Sequence, residues 1–325
     1  MTGPPHTMPE RSRVAVLISG RGSNMAALIY AARAEDCPYE VVLVTGDKPD
    51  AAGLALAEAE GVPVARIAAK DKTTIFAELD KALEKASVDL IALAGFMRII
   101  PDAFLERWAG RILNIHPSLL PKYKGLGTHQ ACLAAGDKVS GATVHLVTPE
   151  LDSGEILGQV EVAIMPGDTP ETLAERVLIA EHQLYARILG EYAARPFDTG
   201  WIEEQVNLLA RDLPEVGRKT SHGSPGWSVG GEKGKLFAII ADHHHGEEAV
   251  GLLVKASGPD EMTGLIEAQP QVYYWPKYYG ASGWLGVKLN RRDVDWGEVR
   301  DWLERSWRVC APPRLTKLMR AADEF

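Results

Sequence analysis

VAVLISGRGSN, residues 14–24, joins a run of apolar residues to a glycine-rich turn. A valine-rich run of this length predicts a buried strand over residues 14–19. The amphipathic segment that follows, residues 25–33, predicts a helix that begins directly after the glycines. A strand, a glycine turn and a helix in this order are typical of an α/β fold.

The same alternation continues along the first half of the chain. Apolar runs predict strands and amphipathic segments predict helices, in the order 41–45 (strand), 54–60 (helix), 64–68 (strand), 75–85 (helix) and 90–94 (strand). Strands that alternate with helices form a mostly parallel sheet covered on both faces, so we expect a Rossmann-like α/β fold. Such folds bind ligands beyond the carboxyl ends of their strands, which places the expected site in the loops after Ile18, Ala94 and Ile115.

The second half of the chain is built from different residues. Seven of the eight tryptophans lie after residue 200. Pro196 interrupts a helical pattern just before them, and Thr199 is a candidate cap for the next helix. We therefore expect a first domain at residues 1–198, with its core at 12–195, and a second domain at 199–325.

The second domain is predicted to be a small α+β fold. Short apolar segments predict antiparallel strands at residues 235–240, 249–255, 272–275 and 285–289. An amphipathic helix ends the domain, because apolar residues recur there at helical spacing. These residues are Val299, Trp302, Leu303, Trp307 and Cys310.

Composition narrows the function classes. The 325 residues carry a net charge of -9, which argues against a generally basic nucleic-acid binder. The start of the chain has no apolar core of signal-peptide length, and no segment approaches the length of a membrane span. Three scattered cysteines suggest neither a disulfide framework nor a zinc site, so we expect a cytoplasmic protein without a metal. His243-His244-His245 has the composition of a metal site, but Gly246 favours a hairpin turn there.

The turn at residues 20–24 is a candidate phosphate site. Glycines let backbone N–H groups turn toward an anion, and the N-terminus of the following helix adds a favourable dipole. A tight turn that binds nothing explains the same residues. As a dinucleotide fingerprint the pattern fails, because Met25 occupies the third glycine position, although Asp47 after the second strand suits that function.

Asn114 and His116 form the densest group of reactive side chains. Positions two apart on a strand face the same side, so these two point together while Ile115 faces the core. Both can donate a hydrogen bond to an oxygen that becomes negative during attack on a carbonyl. Asp152, in the turn-rich segment 148–154, is a carboxylate able to orient the histidine and favour its imidazolium form. The alternative is a structural role, in which Asn114 and His116 are a hydrogen-bonded pair at a strand end and Asp152 is an ordinary turn residue.

For four other polar residues, the sequence does not decide between a functional and a structural role. Glu181 and His182 fall in a predicted helix over residues 174–189, where a solvent-exposed face is the simpler interpretation. His129 and His145 either support a site from behind or stabilise the fold.

Four ordered motifs resemble those of the phosphoribosylglycinamide formyltransferases, also called GAR transformylases. They read LISGRGSN at 17–24, AGFMRI at 94–99, NIHPSLLPKY at 114–123, and TVH at 143–145 with LDSG at 151–154. The resemblance covers residues 12–195. The trio of Asn114, His116 and Asp152 is shared with the wider family of enzymes that use 10-formyltetrahydrofolate.

The resemblance implies transfer of a formyl group from 10-formyltetrahydrofolate to the amine of glycinamide ribonucleotide, a step of de novo purine synthesis. Asn114 and protonated His116 would bind the oxyanion, while Asp152 would keep the histidine charged and relay protons. The implied substrate contacts are Gly22, Ser23, Asn24 and Glu181. The implied folate pocket is formed by Met97, Arg98, Ile99, Ile100 and Asn114, and no metal is implied.

The chain departs from the family pattern at four positions, one of which is Glu155, where proline is frequent. Lys72 stands near a position where many members carry an arginine, and Lys124 and Gly127 lie in a loop where proline and histidine are common. These changes affect the expected binding contacts and leave the trio intact.

Residues 200–315 resemble the MmcQ/YjbR family. The motifs are HGSPGW at 222–227, VYYWP at 272–276 and GWLGV at 283–287. A DNA-binding role has been suggested for that family, and four tyrosines here suit base stacking, but an aromatic core or interface explains them more simply. They are Tyr273, Tyr274, Tyr278 and Tyr279.

Three other functions stay open at this point. A formyltetrahydrofolate hydrolase would use water as the acceptor, a nucleic-acid-binding regulator would use the first domain as a ligand sensor, and a nicotinamide dehydrogenase would use the glycine turn. The phosphate turn argues against the first, the intact trio against the second and Met25 against the third. A homodimer is one of the oligomeric states that the sequence leaves open.

Overall fold

The computed structural model describes residues 11–69, 71–243 and 249–323. The chain divides into two compact units, of which the first ends at Ala194 and the second begins at Arg195. Within the described ranges, no helix is both long and apolar enough to cross a bilayer.

The first unit is a seven-stranded sheet with the strand order β3-β2-β1-β4-β5-β6-β7. Strands β1 to β5 are parallel, whereas β6 and β7 run antiparallel at one edge. The strands are β1 (Ser12–Ile18), β2 (Tyr39–Gly46), β3 (Val64–Arg66), β4 (Leu90–Leu93), β5 (Ile112–His116), β6 (Val139–Leu146) and β7 (Ile156–Ala163). The helices are α1 (Ser23–Ala31), α2 (Ala52–Ala59), α3 (Lys72–Lys85), α4 (Asp102–Arg107), α5 (Thr128–Ala134) and α6 (Pro170–Ala194). The predicted mostly parallel α/β sheet is confirmed.

Both faces of this sheet are buried, and β1 shows how. Val14, Val16 and Ile18 pack with α1, α2 and α6, while the alternate residues Ala15 and Leu17 pack with α3 and α4. All five side chains are fully buried. Burying a side chain such as leucine or valine contributes about 2 kcal/mol, so β1 anchors two cores at once.

The second unit is a six-stranded antiparallel sheet with the order β12-β13-β11-β10-β9-β8. The strands are β8 (Val216–Ser221), β9 (Ser224–Val229), β10 (Lys235–Asp242), β11 (Val250–Lys255), β12 (Tyr273–Tyr274) and β13 (Trp284–Lys288). The helices are α7 (Thr199–Ala210), α8 (Pro259–Ala268), α9 (Trp296–Cys310) and α10 (Pro313–Asp323). The predicted small α+β fold is confirmed. The pattern did not predict β8 and β9, because their sequences, VGRKTS and SPGWSV, are rich in polar residues, glycine and proline.

Helix α9 supplies much of the core of the second unit, as its spacing predicted. Val299, Trp302, Leu303, Trp307 and Cys310 are all buried in one cluster with residues of α7 and the sheet. The buried indoles also have acceptors, since Trp302 Nε1 donates to Tyr273 Oη over 3.1 Å.

The four tyrosines proposed for base stacking are mostly used by the fold. Tyr273 is buried, and Tyr279 meets the Trp284 ring edge to face. The side chain of Tyr274 lies against two glycines, because a Cβ added at Gly251 or Gly286 would come within 2.2 Å of its hydroxyl or its ring. Tyr278 is 74% exposed. The arrangement favours the core interpretation over base stacking.

The cap of α7 differs from the expected residue. Asp198, not Thr199, is the N-cap, and its side chain accepts a hydrogen bond from the backbone N–H of Trp201 over 2.6 Å. Thr199 is the first residue of the helix. Both residue types favour the cap position, so the pattern alone did not separate two neighbours.

Asp198→Ala should lower the free energy of unfolding of the second unit by about 1 kcal/mol, because it removes the only side-chain cap seen at this helix end. Urea unfolding followed by tryptophan fluorescence measures it, since seven of the eight tryptophans lie in this unit. Thr199→Ala is the matched control and should change the free energy by only a few tenths of a kcal/mol. Equal losses in the two variants would contradict the assigned cap.

Candidate active site

The loops that follow β1, β2, β4 and β5 meet at one edge of the sheet, where parallel strands end together. Ser19 N–H donates to Gly95 O over 3.1 Å, and Gly53 N–H donates to Gly20 O over 3.0 Å. These bonds join the loop after β1 to the loop after β4 and to the first turn of α2. The sequence had placed its expected site in these loops.

Gly22 shapes the turn that was expected to hold a phosphate. It is the N-cap of α1 with φ 76°, in the left-handed region that favours glycine, and no side chain caps this helix. A Cβ at Gly22 would lie 3.1 Å from the Cα of Gly53. The first N–H groups of α1 are therefore left to a ligand or solvent, with the helix dipole adding positive potential. Ser23 at this end is exposed.

Asp47 is fully engaged by its neighbours in the fold. One carboxylate oxygen accepts from Ser19 Oγ over 2.6 Å, and the other from Arg98 Nε over 2.6 Å. Ser19 Oγ in turn accepts from the backbone N–H of Met97 over 2.9 Å. The Asp47 side chain is only 4% exposed, so both oxygens are committed and neither is left for a ribose hydroxyl. This removes the support that Asp47 gave to a dinucleotide site.

Asn114 and His116 project from β5 toward the antiparallel strand β6. In the register of these strands Asn114 lies opposite His145, and His116 lies opposite Thr143. Ile115 between them is buried in the core, as the alternation of a strand predicts. Pro117 follows directly, and the strand ends at His116.

His145 fixes the amide of Asn114. Its Nδ1 lies 2.8 Å from the carbonyl of Leu146, and a carbonyl only accepts, so Nδ1 carries the proton. Burial lowers the pKa of His145, which keeps the ring neutral and leaves Nε2 as an acceptor. Asn114 Nδ2 therefore donates to Nε2 over 3.2 Å and keeps a second N–H for another partner.

His116 has an acceptor at each ring nitrogen. Nε2 donates to the main-chain carbonyl of Tyr123 over 2.8 Å. Nδ1 lies 3.5 Å from Asp152 Oδ2, a longer contact on the opposite side of the ring. An imidazolium has two N–H donors, and this buried pair of acceptors matches them. Nδ1 is the nitrogen with the looser partner, and so the one that can exchange it for a reacting group.

Asp152 lies close to both histidines and is bonded to the loop after β5. Its Oδ1 lies 3.6 Å from His145 Nε2, while its Oδ2 accepts from Gly125 N–H over 2.8 Å. The residue has φ 47°, in the left-handed region that aspartate adopts more often than most residues other than glycine. The sequence suggested the carboxylate, and the structure brings it beside His116.

Glu181 is not on a solvent-exposed face, so the simpler interpretation of the sequence was wrong. Its side chain is buried in α6 and accepts a hydrogen bond from Asn24 Nδ2 over 2.7 Å. Burial raises the pKa of Glu181, and the bond from Asn24 partly opposes that rise. The helical pattern around 181 is amphipathic, but it could not show that α1 covers this turn.

Three buried polar atoms near these elements have no hydrogen-bond partner within the described ranges. They are Asn24 Oδ1, His129 Nδ1 and His182 Nε2. Burial lowers the pKa of both histidines, and for His129 the neighbouring His116 adds to the effect. Unpartnered buried polar atoms near His116 and the uncapped start of α1 are suited to a polar ligand.

The segment after β4 presents apolar side chains to solvent. Met97 is 69% exposed and Ile99 is 80% exposed, whereas Ile100 is buried. Arg98 between them is held by Asp47. Two exposed apolar residues in a loop that a partly buried ion pair holds in place suit the flat face of an aromatic ligand.

The positions that depart from the family pattern lie at helix starts and in a loop. Lys72 is exposed at the first residue of α3. Gly127 is the N-cap of α5 with φ 72°. Lys124 contacts Ser153 Oγ and lies 3.7 Å from Glu150, so it joins the loop after β5 to the loop after β6.

Some contacts of this site could not be found from the sequence. Tyr123 O and Gly125 N–H act through the main chain, which any residue type supplies. The network of Ser19, Asp47 and Arg98 joins three separate loops. No three His, Cys, Asp or Glu side chains of the described chain are grouped to hold a metal, and His244 and His245 lie outside the described residues.

The chain is similar to known proteins in both halves. Residues 12–189 match the sequence model of the formyl transferase family, and residues 211–309 match that of the YjbR family. The phosphoribosylglycinamide formyltransferase of Haemophilus influenzae is 42% identical over 63% of this chain and 97% of its own length. A crystal structure of the enzyme of that name from Brucella melitensis is 50% identical, with a TM-score of 0.54, over 57% of this chain and 97% of its own.

A longer relative matches only in part. The trifunctional purine biosynthetic protein adenosine-3 of Bos taurus is 45% identical over 184 residues, and the match spans 18% of that protein. This chain therefore covers about a fifth of such multifunctional relatives and nearly all of the Haemophilus protein.

Asp47→Ala leaves the Arg98 guanidinium and the Ser19 hydroxyl without their carboxylate. We expect the free energy of unfolding of the first unit to fall by about 2 kcal/mol. Amide exchange at Met97 should become faster, since its N–H bonds to Ser19 Oγ. Hydrogen–deuterium exchange with mass spectrometry measures this over residues 95–100. Glu40→Ala breaks the half-exposed Arg13–Glu40 pair and is the control, with an effect below about 1 kcal/mol. Unchanged exchange in Asp47→Ala would contradict the network.

Proposed function

The chain belongs to the formyl transferase family, and we propose that it transfers the formyl group of 10-formyltetrahydrofolate to the amine of 5'-phosphoribosylglycinamide. The products are formylglycinamide ribonucleotide and tetrahydrofolate. The observation that carries this proposal is the placement of two N–H donors, from Asn114 and His116, beside the carboxylate of Asp152 in a partly buried site.

These donors suit the charge that develops during formyl transfer. The amine nitrogen attacks the formyl carbon, a C–N bond forms, and the formyl oxygen becomes negative in a tetrahedral intermediate. Asn114 keeps one Nδ2–H beyond the bond to His145, and His116 presents Nδ1 away from Tyr123. Preorganised donors of this kind lower the barrier, because they need no rearrangement as the charge appears.

Asp152 is the proposed proton carrier. Collapse of the intermediate breaks the bond between the formyl carbon and N10, and one proton moves from the attacking amine to N10. Asp152 lies within reach of both histidine rings and is bonded to Gly125 N–H. A buried carboxylate beside an imidazolium can take that proton and return it through the ring or a water molecule.

The folate is proposed to bind on the segment 97–100. Met97 and Ile99 supply exposed apolar surface, and Asn114 at the end of β5 lies in the neighbouring strand. Since β4 and β5 are parallel neighbours, their carboxyl ends bring this segment and the catalytic donors to the same edge of the sheet.

The phosphate of the ribonucleotide is proposed to bind at the start of α1. Gly22, Ser23 and Asn24 form the uncapped end of this helix, and the exposed Arg21 adds a positive charge. Glu181 meets Asn24 there, so a buried carboxylate stands ready for the donors of the glycinamide end. A hydrolase would need neither feature, which favours transfer to this acceptor over transfer to water.

The cytoplasm is the proposed compartment. Cys37, Cys132 and Cys310 are free and buried, as suits a reducing environment. We propose no nucleic-acid partner for the second unit, because most of its candidate stacking tyrosines pack inside the fold.

Asn114→Ala and His116→Ala should each lower kcat about 100-fold or more, since each removes one donor to the oxyanion. Absorbance of the folate product from 10-formyl-5,8-dideazafolate measures turnover, with and without glycinamide ribonucleotide. His222→Ala, an exposed histidine of the second unit, is the control and should retain full turnover. Turnover that does not require the ribonucleotide would indicate a hydrolase, and no turnover at all would overturn the proposal.

Glu181→Gln should weaken the binding of the ribonucleotide although it stabilises the fold. The KM for glycinamide ribonucleotide should rise about tenfold, because one of the two carboxyl oxygens that can accept a hydrogen bond is replaced by an amide NH2 group. Kinetics with the ribonucleotide varied at saturating folate measure this. An unchanged KM would contradict a substrate contact at Glu181.

The same variant should be the more stable protein at neutral pH. Because burial raises the pKa of Glu181, its carboxyl contributes to folding while protonated, and that contribution is lost as pH rises from 4.5, its ordinary value, through the raised pKa. Glutamine has no such loss. Urea unfolding at pH 4.5 and pH 8 should show the advantage of Glu181→Gln growing with pH, and a shrinking advantage would contradict the buried carboxyl.

A further inference from the structure

We infer that the side chain of Tyr123, through its bond to Asp137, is a positioning element that holds the ring of His116 for catalysis. The inference rests on the proposed function, because its test reads the rate of formyl transfer. Tyr123 lies outside the trio of Asn114, His116 and Asp152. Its main chain and its side chain have different partners.

The main chain of Tyr123 contacts the catalytic histidine. Its carbonyl accepts from His116 Nε2 over 2.8 Å and from Ser118 Oγ over 3.1 Å. Since this bond fixes how the ring is turned, the direction of one carbonyl decides where Nδ1 points. A shift of that carbonyl would turn Nδ1 away from Asp152.

The backbone of Tyr123 does not favour this direction by itself. Its φ of 54° lies in the left-handed region, which is uncommon for a bulky side chain. A residue keeps such a conformation when surrounding contacts over-determine it. The question is therefore which contact holds the residue.

The hydroxyl of Tyr123 supplies that contact. It donates to Asp137 Oδ2 over 2.8 Å. This bond is the main reason that the pKa of Tyr123 rises to about 12, so the hydroxyl keeps its proton at any working pH. Tyr123 and Lys122 together lower the pKa of Asp137, which keeps the carboxylate charged. Asp137 stands two residues before β6, the strand that carries His145.

Other bonds of this loop hold its earlier residues. Leu120 N–H donates to Thr143 Oγ1 over 3.1 Å, and Gln159 Nε2 donates to Leu120 O over 2.9 Å. Next to Tyr123, Ser118 Oγ donates to the carbonyl of Lys122 over 2.7 Å. The ring of Tyr123 lines a cavity of about 420 Å³ together with Asp137 and Cys132, so close packing on all sides does not hold it. The hydroxyl bond is thus the contact through which the side chain of Tyr123 helps to fix the end of the loop next to His116, together with the bonds that Ser118 Oγ donates to the main chain.

Tyr123→Phe in the full-length chain tests the inference, because it removes one hydroxyl and keeps the main-chain carbonyl. A misaligned catalytic group slows the chemical step without weakening substrate binding, so kcat should fall roughly tenfold. The KM values for glycinamide ribonucleotide and for 10-formyl-5,8-dideazafolate should stay within about twofold. A residue that only stabilised the fold would lower the melting temperature and leave kcat per folded molecule unchanged.

Tyr30→Phe is the matched control. Tyr30 Oη also donates to a carboxylate, Glu60 Oε1, over 2.7 Å, but on an exposed surface formed by α1 and the end of α2. Its loss should leave kcat and both KM values unchanged. The pair of variants therefore separates the loss of a tyrosine–carboxylate bond from the loss of this particular one.

Asp137→Asn and the double variant complete the test. If the two side chains act as one unit, Asp137→Asn should lower kcat by a similar factor, and the double variant should be no slower than the slower single variant. Multiplicative losses, or a Tyr123→Phe enzyme as fast as the wild type, would overturn the inference. If the wild type itself shows no ribonucleotide-dependent turnover, the proposed function fails first, and the two failures are told apart by that control.

Discussion

The burial of both faces of the first sheet is the constraint on which the site depends. Strands β1 to β5 have apolar cores on either side, so polar groups are confined to the edge where the parallel strands end. Asn114 and His116 lie at that edge because β5 ends there. The antiparallel strand β6 then brings His145 opposite Asn114, and the loop after it brings Asp152 beside both histidines. One sheet thus positions groups from three separate parts of the chain.

The structural features that could be predicted from the sequence are those that a single local effect explains, such as burial or the alternation of side chains along a strand. Val14 to Ile18 is apolar because both faces are buried, and α9 repeats its tryptophans because one face packs on a sheet. Asn114 and His116 share a side because a strand alternates. The solvent-exposed position that the helical pattern favoured for Glu181 was wrong, since its burial depends on packing against Asn24, far away in the sequence. The role of Tyr123 could not be predicted, because its main-chain carbonyl makes the contact with His116, and every residue type has such a carbonyl.

In the second unit, too, part of the sheet could not be predicted from the sequence. Strands β8 and β9 are held by pairing with neighbours, and a chain of glycines and polar residues gives little sign of that pairing. Gly251 and Gly286 are explained only by the ring of Tyr274, which occupies the space where their side chains would be. Trp302 and Tyr273 were readable as core residues, because aromatic side chains at helical or strand spacing pack inward whatever their partners.

Gly154 ends the segment that carries Asp152, and its surroundings limit how this site can vary among related chains. A Cβ added there would lie 1.8 Å from the carbonyl oxygen of Leu146. The clash is with backbone, so no adjustment of a flexible side chain relieves it. Any residue that carries a Cβ at position 154 therefore forces the backbone to move, whereas the side chain of Glu155 beside it is exposed. Two neighbouring residues of this segment thus differ sharply in the backbone movement that a substitution demands.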